Sequence, residues 1–215
     1  MHDIHAYIFD LDGTLIDSEV LWVEAIQTYL REQVGAFSEA QAQALVYGRS
    51  WRDIYRDIVR QFPQFTLSVT DMERAIAPHY QRLTASRDIR IETSIALLKR
   101  LAATHPVSIV SGSSTKTVGE AVAMMGIGAH LTFFLGADDY APGKPDPACY
   151  RLAAQRLALA PAQCLVFEDS NAGVRAAKSA GMACIALVRP GRPSQDLSMA
   201  DRIVGDLAEF EKKSV

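Results

Sequence analysis

The chain has 215 residues, 49% of them hydrophobic, enough to bury a sizeable core as one domain or as one domain carrying an insertion. A formal net charge of −3 excludes a broad basic surface, so no nucleic-acid partner is expected. No stretch approaches the roughly 20 apolar residues of a membrane span, and the opening MHDIHAYIFD lacks a basic segment followed by a long apolar one, so a soluble cytoplasmic protein with no membrane partner is expected.

The first apolar run, AYIFD at 6–10, reads as a strand. Residues 17 to about 87 then lack strand-like runs and read as amphipathic helices over roughly 18–34, 38–46, 50–61 and 70–85. After residue 100 the pattern changes. VSIVS at 107–111, LTFFLGA at 131–137, CLVFED at 164–169 and ACIALV at 183–188 are nearly continuous in apolar residues, as expected of parallel strands covered by helices on both faces. Between them, residues 147–159 predict a helix with Asp146 as N-cap and Pro147 at the first helical position, and SNAGVRAAKSAG predicts another running from a Ser/Asn cap to a stop at Gly181. The expected fold class is therefore α/β, with a parallel-sheet core formed by residues 1–16 and 88–215 and an all-helical insertion at 17–87. Cys149, Cys164 and Cys184 lie in apolar surroundings without metal-ligand spacing and read as buried free thiols. Monomer is the default expectation for the assembly.

Ligands of an open parallel sheet gather at the carboxyl ends of its strands, where Asp10 sits. Gly13 allows the chain to turn back and bring Asp12 near it. Glu168 and Asp169 end a later strand, so four carboxylates point to one edge. At ~4 Å each like-charge contact costs on the order of 4 kcal/mol at an effective dielectric of 20, which a cation would offset. The ligands offered are all oxygens, favouring Mg²⁺ over zinc. Ser111 arrives at the same edge, followed by Gly112, whose missing side chain lets backbone N–H groups approach an anion. Lys144 lies in the stiff segment APGKPDP. A carboxylate nucleophile, a carboxyl group for proton transfer, a metal, a hydroxyl and an ammonium together suit phosphoryl transfer.

The motifs DLDGT at 10–14, VSGSS at 110–114, GKPDP around Lys144 and EDSNAG at 168–173 occur in order, and through them the chain resembles the haloacid dehalogenase superfamily of phosphohydrolases with a helical cap, in the group containing beta-phosphoglucomutase and small sugar-phosphate phosphatases. The resemblance covers residue 6 to about 190 and implies a Rossmann-like core. It implies that Asp10 attacks phosphorus to form an aspartyl phosphate and that Asp12 acts as acid and then as base. It implies Mg²⁺ held by Asp10, the backbone carbonyl of Asp12 and Asp169, with Glu168 ligating it or acting one shell out, and a phosphoryl group bound by Ser111 and Lys144. Asp12 and the Glu168/Asp169 pair argue against dehalogenation, and the absence of lysine from residues 16–87 argues against a phosphonatase. Trp22 stands where the mutase carries a histidine, which favours a hydrolase over a phosphomutase. A receiver-like signalling module is a third reading, disfavoured because D-x-D-G precedes a long helical insertion. Selectivity among small phosphorylated metabolites, a sugar phosphate foremost, is expected from the insertion, where Arg49 and Trp51 follow Gly48 at the position of the family's specificity loop.

Overall fold

The computed structural model describes residues 3–47, 49, 51–189 and 191–210, so the Gly48 of the expected specificity loop lies outside the described residues. The chain divides into two compact units, one built from the segments before Asp17 and after Ile89, the other from Asp17–Ile89.

The first unit is organised by a parallel sheet of six strands. β1 (Ala6–Phe9) lies between β2 (Val107–Val110) and β4 (Cys164–Glu168), with Tyr7 level with Val107 on one side and Leu165 on the other. β3 (Phe133–Leu135) extends the sheet beyond β2, and β5 (Ala183–Leu187) and β6 (Arg202–Val204) extend it beyond β4. Among the described residues, four α-helices accompany these strands: α5 (Glu92–Ala102), α6 (Thr115–Met125), α7 (Ala148–Leu157) and α8 (Asn171–Ala180).

The strand sequences follow from burial on both faces. Alternate side chains of β1 point opposite ways. Ala6 and Ile8 join Val166, Cys184, Tyr150, Ala153, Val174 and Ala177 in a core with α7 and α8. Tyr7 and Phe9 point the other way and stack on Phe167, at ring-centroid separations of 6.2 and 4.5 Å. With no wet face, the strand has no polar alternation to show. All three cysteines are free and lie in the first of these cores; burial pushes the thiols of Cys149 and Cys164 up to about 11.

The structure departs from expectation at several places, and α5 and α6 are not among the helices expected from the sequence. β3 is three residues long because Gly136 turns the chain against α6: a Cβ there would lie 2.3 Å from the Thr115 backbone nitrogen. β6 was not expected; its RIV holds one exposed and one buried apolar residue at the sheet edge, too short for a periodic signal. α7 begins one residue late, with Pro147 as N-cap, and Asp146 Oδ1 instead accepts the Ala148 N–H at 2.9 Å. Ser170 caps α8 by accepting the Gly173 N–H at 3.0 Å, and Gly181, at φ +84°, ends it.

The second unit consists of α1 (Ser18–Val34), α2 (Glu39–Val46), α3 (Trp51–Gln61) and α4 (Val69–Ser86), joined around Ile26, Leu30, Ala42, Ile58, Met72 and Ile76. Ser38 and Gln41 form a capping box at α2, and Ser68 caps α4. Among the described residues, no helix is long and apolar enough to cross a membrane.

Candidate active site

The carboxyl ends of β1, β2 and β4 define one edge of the sheet, and the chemistry-bearing side chains meet there. Asp10 leaves β1 with its N–H on the Phe167 carbonyl at 2.9 Å, so the sheet ladder fixes its backbone and its side chain is buried. Gly13 follows at φ +90°, and a Cβ there would fall 1.9 Å from Asp169 Oδ2. Glycine is needed at this position both for the conformation and for the space that the Asp169 carboxylate occupies. Asp10, Glu168 and Asp169 each offer one carboxylate oxygen, and these oxygens lie within 4.8 Å of one another.

Lys144 sits among them. Its ammonium donates to Asp10 Oδ1 at 2.7 Å, to Glu168 Oε1 at 2.6 Å and to the Val110 carbonyl at 3.2 Å, which matches its three protons to three acceptors. It also lies 5.1 Å from the Tyr150 ring centroid. Glu168 is wholly buried, and its Oε1 accepts from Tyr150 Oη at 2.8 Å as well. Its Oε2 accepts from the N–H groups of Asp169 and Ser170 at 3.1 and 3.2 Å and from Ser170 Oγ at 3.0 Å. Ser170 thus caps α8 and holds the carboxylate with the same hydroxyl.

Charge states follow from these contacts. Burial pushes the Asp10 carboxyl well above the usual carboxylate range, Lys144 pulling it down and Glu168 adding to the rise. Burial would raise Glu168 too, but the Lys144 ammonium and the hydrogen bonds from Lys144, Tyr150 and Ser170 outweigh it and hold Glu168 below its ordinary value. Burial alone would lower Lys144; Asp10 and Glu168 together outweigh it and raise it. Lys144 and Glu168 are therefore held in their charged forms, whereas at Asp10 the ammonium offsets only part of the cost of burying an ionised carboxylate. A divalent cation beside Asp10 and Asp169 would offset more of that cost, and the ligand atoms offered by the cluster are all carboxylate oxygens.

The Asp12 carboxylate is not part of the three-residue cluster. Its Oδ2 instead accepts from Ser111 Oγ at 3.1 Å and from Ser113 Oγ at 2.8 Å. A Cβ built at Gly112 would meet nothing within 4 Å. Arg49 and Trp51 belong to the helical unit. There the Arg49 guanidinium is paired with Asp57 at 2.5 Å, and Trp51 lies 5.8 Å from Trp22 between ring centroids. The Trp51 indole N–H is buried and finds no hydrogen-bond partner among the described residues. Two residues at the core site went unread in the sequence. Ser113 stood inside VSGSS without a role, and Tyr150 falls on a helix face that is otherwise apolar.

Gly173 gives the site a stability signature. It lies in α8, where alanine ordinarily stabilises by about 1 kcal/mol over glycine. A Cβ at this position would sit 1.7 Å from Glu168 Oε1. Gly173→Ala is therefore expected to destabilise by about 1–3 kcal/mol in urea unfolding, the reverse of the helix propensity, because the buried carboxylate has to move.

The model of the haloacid dehalogenase-like hydrolase family matches residues 7–187, and the chain belongs to that family. It is 30% identical over 203 residues to the validoxylamine A 7'-phosphate phosphatase of Streptomyces hygroscopicus subsp. limoneus, covering 94% of this chain and 93% of that one. Hexitol phosphatase A of Escherichia coli strain K12 is 30% identical over 187 residues, covering 86% and 83%. Among solved structures, CbbY from Rhodobacter sphaeroides in complex with phosphate superposes with a TM-score of 0.81 at 25% identity, covering 96% of each chain.

Proposed function

We propose that this chain hydrolyses the phosphate ester of a small polar metabolite, a sugar or polyol phosphate foremost, through a covalent intermediate on Asp10. The enzyme class is that of the phosphatases, as in the relatives named above. The observation that carries the reading is the single ammonium of Lys144 held between Asp10 and Glu168 beside Asp169, an arrangement that suits developing phosphoryl charge.

In this reading an Asp10 carboxylate oxygen attacks phosphorus and the ester oxygen departs, taking a proton from Asp12. Asp12, now ionised, removes a proton from water, whose oxygen attacks the aspartyl phosphate; inorganic phosphate leaves and Asp10 is restored. Lys144 orients the attacking carboxylate through Oδ1 and lends positive charge to the transferring group. Ser111 and the backbone at Gly112 bind phosphoryl oxygens. Asp10, Asp169 and the Asp12 backbone carbonyl would hold Mg²⁺, which when bound supplies charge neutralisation to the phosphoryl oxygens. Glu168, with both oxygens already accepting hydrogen bonds, acts through Lys144 and Ser170.

Phosphate release from p-nitrophenyl phosphate tests this. Chelation is expected to abolish it and added Mg²⁺ to restore it; activity that survives thorough chelation refutes the metal assignment. Asp12→Ala is expected to cost roughly 10²- to 10⁴-fold in kcat. Relative kcat/KM over a panel of sugar phosphates, nucleotides and phosphorylated carboxylates identifies the substrate class, and transfer without free phosphate would redefine the enzyme as a mutase.

A further inference from the structure

Two hydroxyls converge on one carboxylate oxygen. Ser111 Oγ and Ser113 Oγ both donate to Asp12 Oδ2, at 3.1 and 2.8 Å, and Ser111 Oγ in turn accepts the Ser113 N–H at 3.0 Å. The loop that carries them is fixed from outside by residues 136–140. Tyr140 Oη donates to the Ser111 carbonyl at 2.7 Å, the Ala137 N–H donates to the Ser113 carbonyl at 2.8 Å, and Asp139 Oδ2 ties Thr115 Oγ1 to the Gly136 N–H at 3.0 and 2.9 Å. With the backbone clamped on both sides of Gly112, the two hydroxyls are held in register with Asp12.

A serine hydroxyl carries one proton. Ser111 can donate it to Asp12 or to a phosphoryl oxygen, but not to both at once. If substrate takes the Ser111 proton, one of the two bonds that aim Asp12 is lost when the reaction needs that carboxyl group in place.

We propose that Ser113 is a positioning residue for Asp12: its hydroxyl keeps the Asp12 carboxyl aimed at the leaving oxygen and then at water while the Ser111 hydroxyl serves the phosphoryl group. The assignment rests on the reading of Asp12 as acid and base. It requires Ser113 to influence turnover through Asp12 and not through phosphate.

The test compares Ser113→Ala, Ser113→Thr, Asp12→Ala and the double variant Asp12→Ala/Ser113→Ala on p-nitrophenyl phosphate, with competitive inhibition by inorganic phosphate measured for each. Loss of one hydrogen bond to a charged group predicts that Ser113→Ala lowers kcat by roughly 10- to 100-fold. The inhibition constant for phosphate is expected to stay within about twofold, Ser113→Thr to return kcat to within about threefold, and Ser113→Ala to add nothing in the Asp12→Ala background. An inhibition constant that rises in step with the loss would make Ser113 a phosphate contact and overturn the proposal. So would full additivity with Asp12→Ala, or an unchanged kcat in Ser113→Ala. Should Ser113→Ala fail to fold, Ser113→Val against Ser113→Thr carries the same comparison with and without the hydroxyl. If Asp12→Ala alone leaves kcat intact, the acid and base reading itself falls. If Asp12→Ala is impaired while Ser113→Ala is not, only the role of Ser113 falls.

Discussion

Replacing Asp10 by asparagine is expected to lower turnover at least about 10³-fold while leaving the protein folded and no less stable. The change keeps the shape of the side chain, and the amide oxygen can still accept from Lys144, where the carboxylate now receives a bond of 2.7 Å. What disappears is the anionic oxygen that attacks phosphorus. The stability expectation comes from the sign of the Asp10 shift. Burial raises its carboxyl pKa in the folded protein, so the unfolded chain gives up this proton more readily, and stability is lost as pH rises through the interval between unfolded and folded values. At pH 7.5 the parent bears that penalty and the asparagine variant does not. Thermal unfolding should therefore place the variant at or above the parent at neutral pH, with the difference shrinking as the solution is acidified toward the unfolded carboxyl pKa. Turnover within tenfold of the parent would remove Asp10 as nucleophile.

Such a trade of stability for chemistry is readable in part from the sequence. β1, β2, β4 and β5 are wholly buried strands, and burial on both faces is what makes AYIF, VSIV, CLVFE and ACIAL nearly continuous in apolar residues. The meeting of Asp10, Glu168 and Asp169 follows from the same strands, because parallel neighbours in register deliver their ends to one edge. β6 was illegible for the opposite reason: an edge strand of three residues imposes almost no pattern. Hydrogen-bond partners were illegible too. Nothing in VSGSS distinguishes Ser113, which donates to Asp12, from Ser114, which caps α6. Tyr150 is buried in the apolar cluster with Cys149, Ala153 and Ala154, so the helix pattern places it in the core without disclosing its bond to Glu168. Arg49 pairs with Asp57 eight positions along the chain, across the start of α3, a separation that the helical neighbour rules do not reach.

Lys144→Met is expected to be severe in both respects, because one ammonium serves the reaction and the fold. Its Nζ lies between Asp10 and Glu168 at 2.7 and 2.6 Å, with Glu168 fully buried. Removing one partner of a buried ion pair leaves uncompensated charge and typically costs about 3–5 kcal/mol, far more than the loss of an exposed bridge. The catalytic loss should reach roughly 10²- to 10³-fold, the scale of losing one preorganised charge stabiliser. The pH dependence separates charge from shape. In the parent Glu168 is depressed, so its contribution is present above the unfolded carboxyl pKa and is lost as pH falls through the lower folded value. In the variant, burial acts on Glu168 without the ammonium to oppose it, so its pKa rises and stability is gained on acidification. The gap in melting temperature between parent and variant, measured in chelator from pH 8 to pH 5, should therefore be widest at the alkaline end and narrow steadily toward the acid end. A gap that stays constant across that range would mean that Lys144 acts by filling space, and the electrostatic account of the site would fail with it.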